Sequence, residues 1–255
     1  MNMLEGLSLK GRSAIVTGGG SGIGKATSLI LAQAGARVAV CDINYDKACR
    51  VKELIECIGS NALAIKCDVS DSKECEKMVD IVAKEFKSID ILVNNVGGGG
   101  GGREYFEELS DEYIEKIYNL NLFSIFRIVR LCLPYMPKSD NSSIVNVSSM
   151  SSIINSKDMS VYGTTKAAIA KLTRSMSVDL APIRVNCVMP GAIKTPALEN
   201  ILNSEIETNM LKSTPLKRLG TPEDIASAIF FFVSSLASWI SGQSLMINGG
   251  GIQDL

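Results

Sequence analysis

Tyr162 and Lys166 stand four residues apart in a helical pattern running from about Ser160 to Leu180, so their side chains share one helix face. A tyrosine, with an ordinary pKa of ~10, is a poor base near neutrality. A lysine ammonium beside it favours the phenolate and draws that pKa toward a working range. The pair matters because the chain contains no histidine. That excludes Ser-His-Asp hydrolysis, HExxH zinc chemistry and every imidazole general base. Any acid–base catalyst here must use another group. Taken alone, a tyrosine and a lysine at this spacing are usually a surface pair.

A second chemical signal is Thr17-Gly-Gly-Gly-Ser-Gly-Ile-Gly24, which follows a short Ala/Ile/Val run and opens a helical pattern. In that context Gly18 permits a tight turn, Gly22 lets backbone approach a pyrophosphate, and Gly24 lets helix and strand pack closely. The helix N-terminus then presents unpaired N–H groups to the phosphates. Asp42 follows 18 residues after Gly24, at the end of the second strand. That is close to the ~20 expected for the acid that binds the adenosine ribose hydroxyls. A carboxylate there accepts hydrogen bonds from the 2′ and 3′ hydroxyls and repels a 2′-phosphate. Ser21 and Ile43, the obvious places for the Arg or Lys of an NADP site, are neutral. The expected cofactor is NAD.

The elements that must position these groups come from the rest of the 255 residues. Mostly Val/Ile runs at 14–17, 37–41, 62–67, 89–94, 143–148, 183–188 and 244–247 read as strands buried on both faces of a parallel sheet. Helical patterns lie between them: 22–34, 45–58, 71–86, one from Ser110 toward Pro134, the Ser160–Leu180 pattern, and one from Thr221 to Ser234. Strands alternating with helices throughout predict one α/β domain, a doubly wound seven-stranded parallel sheet over 1–255. A formal charge of −1 offers nucleic acid or an anionic membrane no basic patch. The seven cysteines (41, 49, 57, 67, 75, 132, 187) include no C-x-x-C pair, so no metal site is expected and the thiols read as reduced, in a cytoplasmic protein. The first dozen residues lack the apolar core of a signal peptide, and the longest apolar stretch, Ile225–Ile240, is too short and serine-rich to span a membrane. Within it, Ile225–Val233 is apolar around most of its circumference, which predicts a partner subunit.

Two segments break the alternation. Gly97–Gly102 is six consecutive glycines placed after the fourth strand, where doubly wound sheets bind ligands. Residues 190–215 form a long irregular connection, as lids do.

Together these motifs resemble the short-chain dehydrogenase/reductase family over nearly the whole chain, which implies a single-domain Rossmann fold. Thr17–Gly24 matches the family's TGxxxGxG, Asp68-Val69 its adenine-binding pair, and Asn94-Asn-Val-Gly97 its NNAG with Val96 for Ala. Tyr162-Gly-Thr-Thr-Lys166 matches Y-x-x-x-K, and Ser149 precedes the tyrosine by 13 residues, as in the family. Asn121, in Asn121-Leu-Phe-Ser-Ile-Phe126, completes the tetrad, and Pro190-Gly191 follows the sixth strand. The resemblance implies that Tyr162 is the proton-transfer group, that Ser149 holds the substrate oxygen and that Asn121 fixes a relay water. Lys166 would hold the nicotinamide ribose. Cofactor contacts would come from Gly18, Ser21, Gly22, Ile23, Gly24, Asp42, Ile43, Asp68, Val69, Asn95, Gly97, Tyr162, Lys166, Pro190, Gly191, Ile193 and Thr195.

For the substrate, 190–198, 237–243 and the glycine run are similar to bacterial 7α-hydroxysteroid dehydrogenases. That resemblance implies a steroid, specifically a bile acid, held by Gly99, Ser149, Ile154 and Tyr162 under a lid at 194–212, in a homotetramer. Ile153-Ile154 stands where polar residues are expected. A β-ketoacyl carrier-protein reductase and a sugar or polyol dehydrogenase share the fold and tetrad; Asp42 disfavours the first, which normally takes NADP. A non-enzymatic binding protein would have no need of an intact tetrad.

Overall fold

The structure, a computed structural model, describes residues 5–99, 104–139, 141–155, 157–200 and 202–251; Gly100–Gly102 of the glycine run lie outside them. Seven strands form one parallel sheet: β1 (Ser13–Thr17), β2 (Arg37–Asp42), β3 (Ala62–Lys66), β4 (Ile91–Asn94), β5 (Ser143–Val147), β6 (Arg184–Pro190) and β7 (Ser244–Ile247). Their spatial order is β3-β2-β1-β4-β5-β6-β7. The order reverses between β1 and β4, registered Val16 to Val93, and such a switch point opens a crevice at the carboxyl ends of the strands.

Strand residues alternate between two cores. Ile15, Ala39, Leu92, Ile144 and Val185 face α3 (Ser72–Phe86), α5 (Ser124–Cys132) and α6 (Ser160–Asp179). Ala14, Val16, Val38, Val93, Val145 and Val188 face α1 (Gly22–Gln33), α2 (Tyr45–Cys57) and α9 (Pro222–Val233). Both sides of the sheet are therefore dry, which is why these strands read as continuous apolar runs.

Helix starts follow the side chains available. Asn44 accepts from the Lys47 amide to cap α2, and Asp71 accepts from the Lys73 and Glu74 amides to cap α3. Thr221 and Asp224 form a reciprocal capping box on α9. Ser110 caps α4 (Asp111–Tyr118), which is not the long helix expected from the sequence. A π-helical turn, Asn119–Phe123, separates α4 from α5. Such turns are rare and often mark functional sites. Two short helices, α7 (Pro196–Glu199) and α8 (Ser204–Lys212), occupy the expected lid segment. Among the described residues no helix is long and apolar enough to cross a membrane.

Candidate active site

Two adjoining clefts open at the carboxyl ends of the central strands. The first, about 320 Å3, is lined by Gly18, Ser21, Ile23, Asp42, Ile43, Asp68, Val69, Asn95 and Gly97 among others. These come from the first β–α turn, the ends of β2 and β3, and the loop after β4. Gly18 has φ 62° and Gly22 φ 51°, a left-handed backbone that favours glycine. A Cβ on Gly24 would come within 2.0 Å of the Gly18 carbonyl oxygen, so helix and turn meet only without a side chain. Ser21, at the head of α1, makes no side-chain cap bond, leaving the first amides of that helix for a phosphate. Asp42 is buried; its Oδ2 accepts from the Gly20 amide and its Oδ1 from the Asn44 amide, both at 2.9 Å. Each oxygen keeps accepting capacity for a hydroxyl. The cradle fits a dinucleotide.

Val96, the departure from the family's alanine, lines this first cleft and packs partly buried against the core. It therefore bears on the cofactor side. The sequence reading missed Lys25, Lys47 and Arg50, which line a groove next to Gly20, Ser21 and Gly22. Lys25 directly follows the motif, whereas Lys47 and Arg50 are brought beside it by α2.

The second cleft, about 480 Å3, lies within the size range of small-molecule sites. Ser149, Tyr162 and Lys166 line it together with Gly97, Gly98, Gly99, Pro190, Gly191, Ile193 and Thr195. Gly99, expected to touch substrate, is thus on its wall. Ile154 is not among its described lining residues; it packs partly buried against the core beside α6. Met159, Ala197 and Leu198 supply apolar surface instead. From the lid segment α7 contributes to the wall, whereas α8 buries no residue.

Within the cleft, Tyr162 and Lys166 project from one face of α6, with the Lys166 Nζ 5.6 Å from the tyrosine ring centre. Lys166 is buried, and its Nζ donates to the Val147 carbonyl at 3.0 Å. Burial brings the lysine down to about 8, against a smaller opposing pull from Cys187. Burial pushes the Tyr162 phenol up, and a hydrogen bond with Ser149 opposes that rise. The lowering of Tyr162 expected from Lys166 is not the dominant influence in the chain alone, because the ammonium is aimed at the ring and at Val147.

Asn121 is fully buried in the π-helical turn. Its Oδ1 accepts from the Gly98 amide at 2.9 Å, and its Nδ2 donates to the Gly98 carbonyl at 2.9 Å and to Thr165 Oγ1 at 3.0 Å. Both Nδ2 protons are thereby used, so the side chain fixes the start of the glycine run against the catalytic helix. Asn95 plays a matching part on the cofactor side, its Nδ2 donating to the Thr17 carbonyl at 3.0 Å. Among the described residues, no cluster of three or more His, Cys, Asp or Glu stands where it could hold a metal.

Comparison with known proteins agrees with this geometry. A family model described as enoyl-(acyl carrier protein) reductase matches residues 18–251. The chain is 42% identical to the 7α-hydroxysteroid dehydrogenase of Escherichia coli K12 over 253 residues, 98% of each protein. It is 35% identical to a 3-oxoacyl-[acyl-carrier-protein] reductase of Thermotoga maritima, over 95% of this chain and 98% of that one. A solved 7α-hydroxysteroid dehydrogenase, complexed with NADH and 7-oxo glycochenodeoxycholic acid, superposes with a TM-score of 0.94 at 42% identity, covering 100% of this chain and 99% of the other. With a family model over residues 18–251 and 42% identity to a relative along 98% of the chain, the chain belongs to the short-chain dehydrogenase/reductase family of oxidoreductases.

Proposed function

We propose that the protein is an NAD-dependent dehydrogenase that reversibly oxidises the 7α-hydroxyl of a bile acid to a ketone. The observation that carries the reaction type is the convergence of Tyr162, Ser149 and Lys166 on one cleft beside the dinucleotide cradle. The substrate class is supported by 42% identity along 98% of the chain to a 7α-hydroxysteroid dehydrogenase and by the apolar wall of Met159, Ala197 and Leu198.

In this reading Gly18, Ser21, Gly22, Ile23, Gly24, Ile43, Asp68, Val69, Asn95, Gly97, Pro190, Gly191, Ile193 and Thr195 hold the cofactor, and Asp42 selects NAD through its ribose hydroxyls. Bound NAD supplies the hydride acceptor. Ser149 donates a hydrogen bond to the substrate oxygen, and Tyr162 takes the hydroxyl proton. Lys166, still mostly ammonium at neutral pH with a pKa of about 8, binds the nicotinamide ribose. Asn121 holds Gly98 and Thr165, and with them the cleft wall.

Only one epimer can direct its carbon-bound hydrogen at the cofactor while its hydroxyl reaches Tyr162 and Ser149. Misplacement by a bond length typically costs ~10²-fold in rate. Cholate, chenodeoxycholate, the 7β epimer of the latter, deoxycholate, a β-hydroxyacyl thioester and ribitol, each with NAD and read as NADH absorbance, test this. Oxidation should be confined to the two 7α-hydroxylated acids. Comparable turnover of deoxycholate moves the reacting carbon elsewhere; inactivity on every bile acid favours the acyl or polyol reading.

The protein is further read as a cytoplasmic homotetramer. Trp239 is 99% exposed, and Phe231, Leu236, Leu245 and Met246 are exposed around the α9 end and the β7 edge of the sheet. An apolar edge strand of this kind invites pairing.

A further inference from the structure

The helix that carries Tyr162 and Lys166 has no cap of its own. Met159, at its head, makes no side-chain cap bond, and no acid lies in its first turn. Its first amides would otherwise be unsatisfied. Glu104 supplies the acceptor from 57 residues earlier in the chain: its Oε2 accepts from the Val161 amide at 2.9 Å and from the Tyr162 amide at 3.4 Å. Its Oε1 accepts from the Tyr113 hydroxyl at 2.9 Å, and its own amide donates to the Asp158 carbonyl at 3.0 Å. Only 4% of Glu104 is exposed. A buried carboxylate persists where hydrogen bonds and a positive field replace water, and a helix N-terminus provides both.

From this we infer that Glu104 is a positioning residue for the reaction: by holding the Tyr162 and Val161 amides it fixes the direction from which the phenol enters the cleft. The inference rests on the reading of Tyr162 as the proton-transfer group. Glu104 follows in sequence the glycine run whose Gly97, Gly98 and Gly99 lie on the cleft wall. Both flanks of the glycine run are therefore tied to the α6 region, by Asn121 through Gly98 and Thr165 and by Glu104 through Val161 and Tyr162. The acid lies in a sequence context, Arg-Glu-Tyr, that carries no capping pattern for a helix so distant.

Glu104→Ala, Glu104→Asp and Glu104→Gln, each in the full chain, separate positioning from plain support. Turnover is followed with NAD and a panel of chenodeoxycholate, ribitol and a β-hydroxyacyl thioester, NADH binding by fluorescence, and melting in parallel. Gln keeps one carbonyl oxygen for the two amides and can donate to Tyr113, so its kcat should stay within about threefold of the unmutated protein. Asp is one methylene too short to reach both sides and should lower kcat roughly tenfold or more, and Ala further, given the ~10² cost of small displacements. NADH affinity should not change in any of them. Should Ala fail to fold, Asp and Gln still decide. The inference is overturned if Asp keeps kcat while melting earlier, which is a structural cap and nothing more, or if Gln loses as much as Asp. Tyr162→Phe in the same assay distinguishes the two readings. If it abolishes turnover while Glu104→Asp keeps the unmutated kcat, only the Glu104 inference is wrong; if it retains turnover, the Tyr162 reading falls and takes this one with it.

Discussion

On the proposed NAD-dependent reading, replacing Asp42 by Asn should widen cofactor use from NAD to both NAD and NADP. The carboxylate sits at the end of β2 with Oδ2 on the Gly20 amide and Oδ1 on the Asn44 amide, each at 2.9 Å. It is thus held rigidly and cannot swing away from a 2′-phosphate. Two unit charges ~4 Å apart near a protein surface interact by ~4 kcal/mol at an effective dielectric constant of about 20. At ~1.4 kcal/mol per tenfold, that repulsion corresponds to a preference for NAD of order 10³. Asn removes the charge and keeps one carbonyl oxygen, so it loses a charged acceptor for the ribose hydroxyls. At ~1.5–3 kcal/mol for a hydrogen bond to a charged group, kcat/KM with NAD should fall roughly 10- to 100-fold. Lys25, Lys47 and Arg50 in the neighbouring groove outnumber its one acid, Glu223, and attract a 2′-phosphate no longer repelled by Asp42, so kcat/KM with NADP should rise. The assay is the ratio of the two kcat/KM values at saturating alcohol, with melting measured to confirm folding. A ratio near one in the unmutated protein refutes the ribose assignment. An unchanged ratio in Asp42→Asn refutes the charge argument.

Three further outcomes follow from the same site. Tyr162→Phe keeps the ring but removes the proton acceptor, so turnover should collapse while NADH still binds by fluorescence; near-normal kcat would disprove the tetrad reading. Alcohol oxidation should accelerate with pH from about 6 to 8, because the Tyr162 phenol lies above its usual range and its phenolate share grows about tenfold per pH unit. The rise should bend over as Lys166 loses its proton at about 8, and a flat pH–rate profile would contradict both assignments. Light scattering at micromolar concentration should give a tetramer; a monomer would show that the exposed Trp239 edge is not an interface.

The cofactor half of the site was legible in the sequence because backbone geometry dictates it. A turn with positive φ at Gly18 and Gly22, and a helix packed too closely for a Cβ at Gly24, can be written in few ways. All seven strands were expected within two residues of where they lie, since strands buried on both faces leave continuous apolar runs. Tyr162, Lys166 and Ser149 were legible as a spaced set, and they do meet in one cleft. What escaped was whatever depends on long-range contact. The π-helical turn at Asn119–Phe123 has the composition of ordinary helix, so a continuous helix was expected there. Glu104 looks like a surface charge until α6 comes to meet it. Ile154, placed beside the substrate by resemblance, lies partly buried against the core.

The tyrosine–lysine couple shows how much the fold leaves to the cofactor. Free in water, the two groups have similar affinities for a proton, the phenol at 10.0 and the ammonium at 10.5. Burial moves them in opposite directions, the phenol up and the lysine down to about 8, because each loses the water that stabilised its charged form. The neutral pair is therefore favoured over phenolate with ammonium in the chain alone. A Cβ on Gly97 would come within 2.6 Å of the Lys166 Nζ and displace the ammonium from its present place. Among the described residues the Lys166 Nζ donates to the Val147 carbonyl, and an ammonium has further protons to donate into the cleft. A further positive charge beside Tyr162 would tip the balance toward phenolate, and an oxidised nicotinamide carries that charge whereas a reduced one does not. On the proposed reading, the oxidised cofactor would thus complete the base for alcohol oxidation, a coupling that rests on the burial of both groups.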